Sequence, residues 1–487
     1  MKKTNVPLVT LAIFLTTFMT AIEGTIVSTA MPTIVSDLNG LEMMNWVVSI
    51  FLLMTAVSTP IYGKLADSLG RKPVFLFGIG LFVVGSALCG LSTSMLELIF
   101  FRVIQGLGSG AVQTVAITVI ADMYPPAKRA RMLGINSSFW GVASVIAPLL
   151  GGFIVQQLSW HWVFEINVPL GIIAFLLVLF CLKENKHAQS GRLDLAGTTT
   201  LVIFLLSMML FFQQLEEANW LLLGVLMLVM LLSGFGFYQA EKRAQDPILS
   251  LQLLKNRNFL ILNLINLLVF GLVIGFEFYL PTWMQGINGT SASIAGFVVT
   301  PSSLFWILGS FTCTWMVGKW GTKGTIKGML CLLLAAEIAL VIMPFKTPFW
   351  VFFLVGPFTG LAFGTITMQS LVESQLMVPS DEIGVATSFN TLMKYLGQTI
   401  LVSFYGIVFN LMVSHGLSQH PNLNSGMMNK IVSAQKAATL PAELIPSLRQ
   451  VLFGALKSVY VVGILLVLLS FGLLAGFKVQ AKKQNIH

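Results

Sequence analysis

Charge is scarce in this chain: only 10% of its 487 residues are Asp, Glu, Lys or Arg, against about a quarter in soluble domains. With 56% hydrophobic residues, the usual reading of such a length as several water-soluble domains is excluded. Cysteine is scarce too. Cys89, Cys181, Cys313 and Cys331 fall in or beside apolar runs without CxxC spacing, which excludes a disulfide scaffold and a zinc site of the usual kind. The five histidines lie in loops or at the terminus, and no HExxH, GxSxG or pair of aspartates within one apolar run is present. An intramembrane enzyme is therefore not expected, nor any metal. His415 and His420 read as residues of a solvated loop.

What the chain has is long apolar runs. Runs of 18 to 25 residues recur along its length, each enough to cross a hydrocarbon layer about 30 Å thick. Their backbone polar groups must be satisfied within the segment, so they read as helices, and the alternation of a membrane barrel is missing. About 14 spans begin near residues 7, 46, 73, 97, 133, 162, 195, 220, 259, 293, 326, 349, 385 and 455. The first run follows Lys2 and Lys3 as a secretory leader would, but it is long, interrupted by Glu23 and followed by many more spans, so a first span is expected. The net charge of +9 forms no patch. With the N-terminus in the cytoplasm, most of the 28 lysines and arginines fall on the inward side, which accounts for the basic balance without nucleic acid and places both termini inside.

The chain repeats itself. Gly106-Leu107-Gly108-Ser109-Gly110 precedes Pro125 by the same interval that separates Gly360-Leu361-Ala362-Phe363-Gly364 from Pro379. At nearly the same offset, Gly63-Lys64 is echoed by Gly318-Lys319. An all-α membrane protein of two pseudo-symmetric six-helix bundles is expected: 1–187, then two inserted linker helices over 188–255, then 256–487 with a long outer loop over about 413–453.

The turn Gly63-Lys64-Leu65-Ala66-Asp67-Ser68-Leu69-Gly70-Arg71-Lys72-Pro73 resembles the cytoplasmic loop signature of the major facilitator superfamily. Arg102 to Gly106 resembles that superfamily's fourth-helix motif. Gly141 through Pro148 to Gly151 and Gly152 resembles its antiporter motif, with Ala147 where glycine is usual. Glu23-Gly24-Thr25 with Ala30-Met31-Pro32, and Tyr279-Leu280-Pro281 with Gln285 and Gly289, resemble the 14-helix drug:proton antiporter branch, Glu23 standing where aspartate is usual. The resemblance implies a proton-coupled antiporter in a bacterial cytoplasmic membrane, working as a monomer and exporting lipophilic drugs or toxic amphiphiles, with protons as coupling ion and no cofactor. The alternative is an exporter dedicated to one metabolite, lipid or bile-type compound.

A charge inside a span costs about 2.5 to 3.5 kcal/mol on insertion scales and needs a reason. Counted from the outer ends of their spans, Glu23 and Arg102 differ in depth by roughly 3 Å, so they can pair. Such a pair is either a permanent tie between two helices or a switch, in which burial favours the neutral acid while Arg102 or a cationic substrate favours the carboxylate. Glu277, on the span matching the first, is a second candidate. Glu337 ranks lower, on a span that the resemblance makes peripheral. Lys394 is expected to snorkel inward, to pair with Glu373 or to meet an anionic substrate. Gly63, Asp67, Gly70, Arg71 and Lys72 are expected to shape the inner turn, and Gly141, Pro148, Gly151 and Gly152 a hinge or close packing. Gln105, Gln113, Asn136, Trp140, Asn263, Asn266, Trp306, Asn390 and Gln398 are candidates for the wall of a cavity between the bundles. The 23 methionines and 37 phenylalanines suit an adaptable apolar pocket.

Overall fold

A computed structural model describes residues 4–183, 195–214, 219–244, 255–378 and 383–478, and within several helices some side chains are not described. The described residues are almost wholly helical: α1 (Val6–Leu38), α2 (Met44–Leu69), α3 (Arg71–Gly90), α4 (Met95–Met123), α5 (Pro126–Gln157), α6 (Trp162–Glu165), α7 (Asn167–Cys181), α8 (Leu195–Gln214), α9 (Trp220–Arg243), α10 (Arg257–Gly286), α11 (Ala292–Phe297), α12 (Thr300–Ile342), α13 (Phe352–Leu376), α14 (Ile383–Ser418), α15 (Ser425–Ile431), α16 (Ala434–Ala437) and α17 (Ile445–Ala475). Among the described residues, eleven segments are long and apolar enough to cross a membrane. One of them, Ala292–Ile342, turns back on itself at Gly321, and α5 and α8 carry shorter apolar stretches, so the expected 14 passes can be traced among the described residues.

Local chemistry sets the helix ends. The Asn5 carboxamide accepts from the Leu8 amide at the start of α1, Ser94 does so for Glu97 in α4, and Asn256 for Phe259 in α10. α1 stops at Asn39, which adopts φ 52°. The side of the protein bearing the start of α1 is called proximal below, and the side bearing its end distal.

The repeat is visible in packing. On α4, a Cβ at Gly106 would stand 2.7 Å from the Phe51 carbonyl of α2, and one at Gly110 2.8 Å from that of Thr55. On α13, Gly360 and Gly364 meet the carbonyls of Ser302 and Trp306 of α12 in the same way, at 2.0 Å. Lipid gives helices no hydrophobic drive to associate, so close backbone approach over small residues supplies the adhesion. The proximal turns match as well. Gly70 has φ 104° and Gly321 φ 69°. Two residues on, Lys72 donates to the Leu179 carbonyl near the end of α7 (2.7 Å), and Lys323 donates to the Phe477 carbonyl just past α17 (3.0 Å). Gly70→Ala and Gly321→Ala are each expected to lower stability by about 1 to 2 kcal/mol, because a Cβ clashes in left-handed backbone; thermal melting in detergent checks this.

The two inserted helices have a definite place. α9 is largely exposed along its apolar window, whereas Leu201 and Leu205 of α8 pack in one cluster with Ile50, Leu53 and Val57 of α2 and with Leu396 of α14. α8 thus bridges both bundles along one seam.

Candidate functional site

Glu23 is fully buried in the middle of α1, and Arg102 of α4 is 1% exposed. Arg102 Nη1 donates to Glu23 Oε1 in a buried salt bridge and to Gln105 Oε1 at 2.8 Å, and its Nε donates to the Val47 carbonyl of α2 at 3.0 Å. Glu23 Oε2 accepts from Asn167 Nδ2 of α7 at 2.7 Å. Gln105 Nε2 passes the network on to Ser86 Oγ of α3 at 2.7 Å. The guanidinium lies 4.1 Å from the centre of the Phe51 ring. One network centred on the Glu23–Arg102 pair therefore joins five helices of the first bundle.

In the matching place on α13, Gly356 lies against α12: a Cβ there would come within 3.1 Å of Pro301 and Ser302. A side chain there would press on α12. The second bundle carries its intramembrane charges elsewhere, Glu277 of α10 attracting Lys394 of α14. The Lys394 ammonium lies 5.2 Å from the ring centres of Phe270 and Tyr395. The expected Lys394–Glu373 pair is replaced, since Glu373 takes the hydroxyl of Thr322 at the proximal turn.

The loop residues bind locally. Arg71 donates to Asp122 (3.0 Å) and to the Ala66 carbonyl (3.0 Å), tying the turn to the end of α4, and Gly63 lies in ordinary contact with Thr114. The side chains of Asp67 and Trp140, and the surroundings of Gly141, lie outside the described residues. The expected hinge has two separate faces. Gly151 packs α5 on Ile26 of α1 within the first bundle, whereas a Cβ at Gly152 would stand 2.4 Å from Ser293 Cα in the second. The carbonyl of Pro148 is met by Gly296, whose Cβ would be 2.2 Å away.

The polar candidates for the cavity wall divide. Asn263, Asn266 and Asn390 are buried and bonded to one another: Asn390 Nδ2 donates to Asn263 Oδ1 (2.9 Å), Asn263 Nδ2 to Ser374 Oγ (3.0 Å), and Asn266 Nδ2 to the Asn390 carbonyl (3.3 Å). Gln105 belongs to the ion-pair network. These four are interior residues of a bundle rather than cavity wall, because an amide in an apolar interior must be bonded there. Asn136 accepts from Thr17 at 2.8 Å. Gln113, Trp306 and Gln398 are partly exposed, as are Glu277 and Lys394. Gln113 also accepts from the Tyr395 hydroxyl, which links α4 to α14 across the seam.

Distal residues join the bundles. Tyr279 donates to Asn45 (2.7 Å), Asn410 to the Glu42 carbonyl (3.0 Å), Gln285 to the Thr29 carbonyl (3.4 Å) and Ser293 to Gln156 (2.6 Å). The distal loop takes part: Asn429 accepts from the Leu41 amide (2.9 Å), and Lys436 pairs with Asp37, which also accepts from Trp160 (2.8 Å). Tyr279 and Gln285 belong to a motif already singled out, but their partners Asn45 and Thr29 and the other pairs had no signal; Asn167 had one, as a polar residue in a strongly apolar span.

A two-bundle helical membrane protein with a buried ion pair in one half and a seam between the halves is built as a carrier of small molecules. The chain belongs to the Major Facilitator Superfamily, whose profile matches residues 13–402, and it is a multi-pass membrane transporter rather than an enzyme. It is 33% identical over 92% of its length to the multidrug transporter protein MdtP of Bacillus subtilis (strain 168), covering 89% of that protein. It is 30% identical to the multidrug export protein EmrB of Escherichia coli (strain K12), over 81% of this chain and 78% of that one. Among solved structures, a bacterial homologue of the human lysosomal transporter Spinster, titled as inward-facing and occupied, superposes with a TM-score of 0.70 at 17% identity, covering 98% of this chain and 97% of that one.

Proposed function

We propose that this protein exports lipophilic drugs or related amphiphiles from the cytoplasm in exchange for protons, with Glu23 as the coupling carboxylate. The observation that carries the reading is the buried Glu23–Arg102 pair, whose carboxylate is held by bonds that a proton can replace. Protonation of Glu23 removes the attraction to Arg102 and leaves the guanidinium to Gln105, the Val47 carbonyl and the Phe51 ring. That weakens the tie between α1 and α4 and changes how the two helices pack. A ligand can drive such a change only through different affinities for the two states, and the proton supplies that difference at Glu23. Relatives named for multidrug efflux support the choice of substrate.

The bacterial relatives and the basic proximal turns support a cytoplasmic membrane with the proximal side and both termini inside. The distal contacts then form the outer seal. Glu277 and Lys394, partly exposed across from Gln113, offer both signs of charge to a substrate. An entering proton gains about 2.3 kcal/mol per 100 mV, enough to drive accumulation outward. The test is ethidium transport into inverted vesicles with the pH gradient and the potential collapsed separately. Collapse of both the pH gradient and the potential is expected to stop ethidium uptake; uptake that continues with both collapsed overturns proton exchange, and failure to move several unrelated dyes favours a single-substrate exporter.

A further inference from the structure

The second bundle contains an acid that the mechanism above does not use. Glu337, in the half of α12 that follows Gly321, is 2% exposed, and its Oε2 accepts no hydrogen bond. α17 presses on it through Gly463, where a Cβ would stand 2.5 Å from Oε2. One turn earlier on α17, the Tyr460 hydroxyl is likewise buried without a partner. No lysine, arginine, histidine or second acid among the described residues acts on the carboxyl; Tyr405 of α14 and Tyr460 are the titratable groups in its electrostatic reach. The nearby cations of α17 are engaged elsewhere, Arg449 with the Gly286 carbonyl (3.1 Å) and Lys457 over the Phe453 ring (4.6 Å). On α13, Glu373 is bonded to Thr322 at the proximal turn.

A carboxylate without cation or donor is not tolerated in such surroundings, and the packing of Gly463 against it favours the smallest ligand. Its environment also connects to the seam. The Tyr405 ring centre is 6.1 Å from that of Tyr279, and Tyr279 donates to Asn45 of α2. Two residues further along α2, the Val47 carbonyl receives Arg102. One end of one helix therefore touches both the ion pair of the first bundle and the tyrosine cluster around the acid of the second.

We propose that Glu337 is a second proton-binding carboxyl, occupied in the described conformation and linked to the bundle seam through Tyr405, Tyr279 and Asn45. The step forms and breaks a single O–H bond: a proton taken up on one side neutralises the carboxylate, and its release to the other side restores it. Use of that proton in transport rests on the antiport reading above, but the site itself does not.

The experiment records infrared difference spectra between acid and alkaline buffer for wild type, Glu23→Gln and Glu337→Gln in liposomes. A neutral-carboxyl band that titrates in wild type and in Glu23→Gln, and is missing from Glu337→Gln, is expected. Spectra that Glu337→Gln leaves unchanged overturn the assignment, and so does a band that no pH removes, which marks a permanently neutral structural acid. Glutamine is isosteric with the neutral acid; should it nevertheless misfold, Glu337→Asp, which withdraws the carboxyl by one methylene, is expected to move the band's midpoint, and an unmoved midpoint counts against the site. In proteoliposomes, protons moved per ethidium are expected to fall by about half in Glu337→Gln, and an unchanged count removes Glu337 from the cycle. If the wild type moves no ethidium, the export reading falls while the infrared titration still decides the proton site.

Discussion

Glu23→Gln is expected to abolish proton-driven ethidium transport while leaving a folded protein that binds ethidium. The glutamine keeps the shape of the protonated acid, so the variant is fixed in the state that the proton would otherwise create and destroy. It offers one acceptor where the carboxylate offered two, to Arg102 and to Asn167. Asn167 can turn its own amide to match, and the stability loss is expected near the 1 to 3 kcal/mol of one unmet buried bond. Arg102→Met is the harsher change. It leaves a carboxylate buried among five helices with no cation, a loss of about 3 to 5 kcal/mol. The double variant Glu23→Gln, Arg102→Met is expected to melt higher than Arg102→Met alone, because the stranded charge is gone. Transport that still follows the pH gradient in Glu23→Gln would sink the proposed role. A double variant no more stable than Arg102→Met would remove the claim that the pair is charged in this conformation.

The second large effect is expected at Gly152. Its Cβ would meet backbone, Ser293 Cα at 2.4 Å and the Ala292 carbonyl at 2.8 Å, so no rotamer relieves the clash. Gly152→Ala must therefore hold α5 and α11 apart at the distal seal. Overpacking of this kind amounts to about 1 to 3 kcal/mol. Placed on a two-state seam, that shifts the balance roughly 5- to 150-fold toward the state with the distal end open. Spin labels at Asn39 and Gln419, both exposed distal positions of different bundles, are expected to report longer distances, together with slowed transport. Gly151→Ala is the control. It crowds Ile26 within the first bundle, so it is expected to lower the melting temperature and leave the distance unchanged. Equal distances in wild type and Gly152→Ala would show that the seal does not depend on this contact.

These two cases also show how far residues in a row could lead. Glu23 and Arg102 were legible because charges in apolar spans are few and helix rise fixes their depths. Ser86 and Val47, which with Asn167 complete the network, were not, since each is ordinary for its span. Asn263, Asn266 and Asn390 illustrate the opposite error. Polar side chains in a membrane helix look like cavity wall, but they also bond to one another inside a bundle, and no periodicity tells the two apart.

The sequence alone determined the number of passes, the two-fold repeat and the superfamily, because lipid forces every span to write its hydrophobicity into consecutive residues and because close helix contacts require glycine at fixed intervals. At the repeat offset, position 356 opposite Arg102 is a glycine in the sequence itself. Only the tertiary structure decided that Gly356 packs closely on α12, that α8 braces both bundles, that Gly151 and Gly152 serve different bundles, and that the distal loop latches onto Asp37 and Leu41. Those facts depend on which face of one helix meets which face of another, a relation between residues far apart in the chain that local pattern does not carry.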